Sequence, residues 1–259
     1  MSKLPALFVS HGAPTLIITP GEARDFLSGL GEQLPRPRAV LAISAHWETA
    51  EPTVSLAHKP DTIHDFSGFP RELYAMQYAA PGAVELAQQT AALLSKAGFA
   101  ARTDERRGLD HGAWVPLKLM YPEADIPVTQ LSVQTQLDSR HHYRVGEALR
   151  ALRDDGVLIL ASGSATHNLR ELDRTGGNSA PAWVSDFSGW VARAAEHSDV
   201  DTLLRYRSEA PSAVRNHPTE EHFLPFFVAL GAGSTPAQVR RIHESTTFGA
   251  LAMDAYRFD

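Results

Sequence analysis

The chain has no cysteine. That excludes disulfides, thiolate metal sites and a cysteine nucleophile, so any transition metal must be held by His, Asp or Glu. A surplus of positive charge is lacking too: 24 Lys and Arg against 30 Asp and Glu give a net charge of −6, which does not suit nucleic-acid binding. No apolar run approaches the ~20 residues of a membrane-spanning helix. The start, Met1-Ser2-Lys3-Leu4-Pro5, has none of the basic region, apolar stretch and cleavage site of a secretory signal. These gaps predict a cytoplasmic protein with neither a membrane nor a nucleic-acid partner. P-loop, dinucleotide glycine fingerprint and His-Glu-x-x-His are also missing, and Ser162-Gly163-Ser164 does not complete Gly-x-Ser-x-Gly.

What is present is a chain able to bury a sizeable core: 259 residues, 43% hydrophobic and 21% charged, without repeats, low-complexity tracts or a linker-like break. The expectation is a single catalytic domain over 1–259. Ala6 to Val9, Ala39 to Ile43 and Gly156 to Ser162 are apolar runs, typical of strands covered on both faces, and Ile126 to Val133 also reads as a strand. Between them, Glu22 to Leu34, Gly82 to Ala97, Tyr143 to Arg153, Trp183 to Glu196, Val200 to Tyr206 and Glu221 to Leu230 have helical spacing or composition. A further strand near Val239 to Ile242 and the tail Gly249 to Tyr256 carry weaker patterns. This alternation predicts an α/β fold, a central mostly parallel sheet with helices on both faces and ligand chemistry beyond the strand ends.

Histidine is unusually frequent, at 12. His11, His46 and His167 each follow a buried strand within a few residues; His111 lies in the tight Gly108-Leu109-Asp110-His111-Gly112 loop, and His222 sits at the mouth of an apolar helix. An α/β sheet can gather such distant side chains into one pocket, and imidazoles placed in apolar loops point to a use for their lone pairs. A shared metal or acid/base site is expected. Asp65, Asp110 and Glu221 are the nearest acids in sequence, each able to orient an imidazole, ligate an ion or cap a turn. His58, His141, His142, His197 and His243 stand among polar residues and read as surface groups, while His64 and His217 fit substrate-contacting or supporting roles. Trp47, Phe66, Phe69, Trp114 and Phe223 suit either an aromatic slot or ordinary core packing.

The segments Phe8-Val9-Ser10-His11-Gly12-Ala13-Pro14, Ser44-Ala45-His46-Trp47, Thr62-Ile63-His64-Asp65-Phe66-Ser67-Gly68-Phe69-Pro70, Leu109-Asp110-His111-Gly112, His167-Asn168-Leu169 and Pro218-Thr219-Glu220-Glu221-His222-Phe223-Leu224-Pro225 occur in an order that resembles the class III extradiol aromatic ring-opening dioxygenases, in the subgroup of DOPA extradiol dioxygenase. The resemblance implies that His11, His46 and His222 ligate a metal. It implies that His167 acts beside it as acid/base or as an additional ligand, that His111 contacts substrate or dioxygen, and that His64, Trp47 and Asn168 border the substrate. Protocatechuate-cleaving relatives use two histidines and a glutamate, whereas this chain offers His222 behind Glu220 and Glu221.

The implied reaction is extradiol cleavage of a catechol, DOPA-like or related, with O2. Triplet dioxygen and a singlet catechol need a one-electron exchanger between them, so Fe(II) is the expected cofactor for activity. Three imidazoles also make a good zinc site, and Zn(II), which outcompetes Fe(II) for nitrogen ligands, is expected in the purified protein. A zinc-dependent hydrolase using the same three histidines is the alternative, with bound water brought toward a pKa of ~7. Small molecules are the only partners implied, apart from further copies of the chain in a homo-oligomer.

Overall fold

The computed structural model describes residues 3–173, 175 and 177–259. Ten strands are assigned among them: β1 (Ala6–Ser10), β2 (Ala39–Glu48), β3 (Thr53–Ser55), β4 (Arg102–Asp104), β5 (Val128–Val133), β6 (Val157–Gly163), β7 (Val239–His243), β8 (Thr246–Thr247), β9 (Leu251–Ala252) and β10 (Ala255–Phe258). Eight form one sheet in the order β4-β3-β5-β2-β6-β1-β10-β7, and β8 pairs with β9 alone. The centre, β5-β2-β6-β1, is parallel throughout, and antiparallel pairs occur at β3–β5, β1–β10 and β10–β7.

Successive side chains of a strand point to opposite faces, and the core divides accordingly. Phe8, Leu41, Ile43, Ile159 and Ala161 join the core packed by the helices Val84–Lys96, Ser139–Leu149, Ala182–Glu196 and Leu224–Ala232. Leu7, Val9, Val40, Ala42, Leu158 and Leu160 face the other core, with the helices Glu22–Leu30 and His111–Met120. Helices therefore cover both faces of a mostly parallel sheet. Burial on both faces accounts for the apolar runs of β1, β2 and β6.

Three expectations change. His111–Met120, read as a loop start, is a helix capped by Asp110, whose carboxylate accepts the Ala113 N–H. The apolar helix expected from Glu221 begins at Leu224, leaving His222 in the preceding turn. His142 is a buried residue, not a surface one, because the helix starts at Ser139, four residues before the expected Tyr143, and turns that imidazole inward. His58 and His197 are exposed as expected, and His141 and His243 are half-buried.

Candidate metal centre

Strand order explains how distant histidines meet. β6 lies between β1 and β2, with Ser162 level with Val9 on one side and Ser44 on the other. β1 and β2 are thus about 10 Å apart, two strand spacings, and His11 and His46 lean toward each other over the end of β6. Their Nε2 atoms are 3.0 Å apart. Between Ile43 and Glu48 the register of β2 against β5 shifts, an irregularity that re-aims His46 at the strand end. His222 arrives on the turn that rides on β6: Ser164 N–H donates to the His222 carbonyl at 2.9 Å, and a Cβ on Gly163 would overlap that carbonyl.

The Nδ1 partners fix which nitrogen of each ring is free. Ser162 Oγ gives its proton to the Gly112 carbonyl, so it accepts from His11 Nδ1–H at 3.0 Å. Glu221 Oε1 accepts from His222 Nδ1–H at 2.8 Å. Asp65 Oδ2 lies 3.5 Å from His46 Nδ1 and accepts from His111 Nδ1–H at 2.9 Å, while Asp65 Oδ1 takes the His111 backbone N–H at 2.9 Å. Nε2 of His11 is left as a bare lone pair facing Nε2 of His46, and a shared cation can take a lone pair from both once the His46 proton sits on Nδ1 beside Asp65. Ligand nitrogens of His11, His46 and His222 all lie within 4.8 Å of one another. Two nitrogens each about 2.1 Å from an ion at a right angle are about 3.0 Å apart, so the donor set fits a divalent metal.

His111 and His167 complete the cluster. The His111 ring is 4.0 Å from that of His46 and 5.2 Å from that of His11, centroid to centroid. His167 stacks on His222 at 3.4 Å, nearly parallel, with its Nδ1 3.9 Å from Glu221. Burial keeps four of the imidazoles neutral: it pushes His11 and His222 well below the usual histidine range and brings His46 and His167 to about 4. Asp65 is lowered as well, by a different cause. Burial alone would raise it, but hydrogen bonds from His111 hold it at about 2.

All five histidines singled out from sequence thus converge. His64 lies outside the cluster, its Nε2 bonded to the Met76 carbonyl and its ring packed near Phe66, Tyr74 and Trp114. Trp47 is buried beneath the Arg107 guanidinium. Asn168 caps the turn after His167, accepting from Arg170 N–H and donating to the Arg215 carbonyl. Trp114 and Phe223 belong to the core, whereas half-buried Phe66 meets the His111 ring edge-on at 5.7 Å and continues to Phe69 and Tyr74. A cavity of about 600 Å³ opens beside Gly12 and Ala13, but none of the five histidines lines it, and Glu22 and Arg24 are its only ionisable groups among the described residues. The convergent donors, not that cavity, mark the chemistry.

Sequence reasoning had no means of finding Ser162, a serine without a motif, or Gly112. A Cβ on Gly112 would come within 3.0 Å of His46 Cδ2 and 3.2 Å of His11 Cε1, so only glycine lets the two imidazole rings close over this helix. A buried network behind the site was equally silent: Asp110 accepts from Ser44 Oγ at 2.6 Å, Arg107 at 2.6 Å and Gln130 at 2.5 Å.

Known proteins share this arrangement of chain. The sequence is 45% identical over 255 residues to a 4,5-DOPA dioxygenase extradiol of Beta vulgaris, covering 97% of this chain and 95% of that one. It is 37% identical to the protein of the same name from Escherichia coli K12, covering 97% and 93%. A crystal structure of an uncharacterised Escherichia coli K12 protein superposes with a TM-score of 0.84 at 32% identity, covering 99% of this chain and all of that one. Residues 5–258 match the LigB family, and the chain belongs to it: the catalytic LigB subunit of aromatic ring-opening dioxygenase.

Proposed function

We propose that the protein opens the ring of a catechol, DOPA-like or related, by extradiol cleavage with O2, the whole chain acting as one catalytic domain. One observation carries the reading: three imidazoles, two with Nδ1 hydrogen-bonded to protein groups and the third with Nδ1 beside the Asp65 carboxylate, bring ligand nitrogens within 4.8 Å of one another. His11, His46 and His222 would hold Fe(II), which supplies the one-electron exchange that lets dioxygen react with the diol.

The remaining chemistry belongs to the chain. His167, neutral at pH 7, can take the proton of a catechol hydroxyl and return it as the ring opens, with Glu221 3.9 Å behind to favour the imidazolium. His111, fixed at two points by Asp65, presents its free Nε2 to substrate or dioxygen. Phe66, Phe69 and Tyr74 offer an apolar wall on the His111 side for a planar ring.

Metal-free protein reconstituted with Fe(II) and given a panel of catechols in air is expected to form a yellow ring-opened product. Zinc-loaded protein is expected to form none. Absence of product with Fe(II) and every catechol, or hydrolytic turnover by the zinc form under nitrogen, overturns the assignment.

A further inference from the structure

Three neutral imidazoles bring no charge to a dication. We infer that Asp65 and Glu221 supply the missing negative charge from just outside the coordinating atoms, each carboxylate serving one imidazole of the coordinating trio and one of the two others. The inference rests on the reading that His11, His46 and His222 hold the ion.

Glu221 Oε1 accepts from His222 Nδ1–H at 2.8 Å and lies 3.9 Å from His167 Nδ1; Thr219 Oγ1 donates to the same oxygen at 3.1 Å. Asp65 mirrors it with the distances exchanged, at 2.9 Å from Nδ1 of the non-ligand His111 and 3.5 Å from Nδ1 of the ligand His46. Both carboxylates are largely shielded, with side chains 22% and 17% exposed, so their fields are only partly screened. His11 has the neutral Ser162 hydroxyl in the corresponding place. Two carboxylates therefore face three ligands, and their combined charge matches that of one divalent ion. A carboxylate behind an imidazole also raises its basicity as a ligand.

The asymmetry separates the two positioning residues. Glu221 makes its short bond to a ligand, Asp65 to a pocket histidine, so loss of charge at Glu221 should weaken ion binding more. Gln in place of Glu221 keeps an acceptor for His222 Nδ1–H and removes only the charge. Full-length protein loaded with Co(II) or Zn(II) and titrated with a chelator reads ion affinity without any need for turnover. Glu221→Gln is expected to lower affinity toward the 100-fold end, and Asp65→Asn toward the tenfold end, of the about 10–100-fold range for such partners. The Co(II) absorption bands of Glu221→Gln are expected to shift while its thermal unfolding without metal stays near wild type.

Glu221→Gln binding as tightly as wild type, with only Glu221→Ala impaired, would show that orientation alone matters and overturn the inference. If Glu221→Gln does not fold, Asp65→Asn decides alone: a loss near tenfold supports it, unchanged affinity overturns it. Wild-type protein that takes up no ion at these histidines sinks the functional reading itself, a different failure.

Discussion

Pro116 has no backbone N–H, so the carbonyl of Gly112, four residues earlier in the helix, lacks its usual helical partner. Ser162 Oγ, reaching across from β6, donates to that carbonyl and is thereby committed to accepting from His11 Nδ1–H. A helix-breaking residue thus fixes the tautomer of His11, a proposed ligand on another element. Ser162→Ala removes both bonds, leaving a buried carbonyl unpaired and His11 free to carry its proton on the nitrogen that should face the ion. Expected outcomes are a loss of about 1–3 kcal/mol in urea unfolding and ion affinity about 10–100-fold weaker by chelator titration. Undiminished affinity would break the link from Ser162 to the ligand set.

Elements were legible where burial leaves a mark. Both faces of β1, β2 and β6 are covered, so their apolar runs stand out, and the histidines at their ends were conspicuous for the same reason. His111–Met120 left no such mark. Every residue except Lys118 is buried, so it has no polar stripe to give a 3.6-residue period, and Gly112 and Pro116 read as breakers. Its one signal was Asp110, whose carboxylate both caps the helix and binds Ser44, Arg107 and Gln130. Asp110→Ala should cost about 1 kcal/mol for the cap and, by leaving the largely buried Arg107 guanidinium without its carboxylate, about 3–5 kcal/mol in total. Asp110→Asn keeps the cap and should lose less. Urea unfolding measures both, and a change under 1 kcal/mol for Asp110→Ala would rule out this support of the site.

Across the whole molecule, strand order was not written in the sequence, because pairing depends on which faces pack and not on the pattern of any one strand. The order β2-β6-β1 is what makes residues 11, 46, 167 and 222 neighbours. The same global packing sets the response to acid. His142 lies outside the histidine cluster: Gln134 N–H donates to its Nε2 at 3.1 Å, and its Nδ1–H donates to the Asp138 carbonyl at 2.8 Å, so a second proton would confront a donor. Burial, with neighbouring His141 adding to it and Asp138 opposing it, brings His142 to about 4, and burial brings His217 to about 3. Because the folded values lie below the ordinary 6.5, the unfolded chain binds these protons first. Stability is complete above about pH 6.5 and falls as the pH drops toward 4. For His142 alone the loss between pH 7 and pH 5 is about 2 kcal/mol. His142→Gln, which cannot titrate, should therefore show a pH dependence of unfolding shallower by that amount, measured by urea titration of metal-free protein at both pH values. An identical slope in variant and wild type would mean that His142 is already charged in the folded state, contrary to the donor that faces its Nε2.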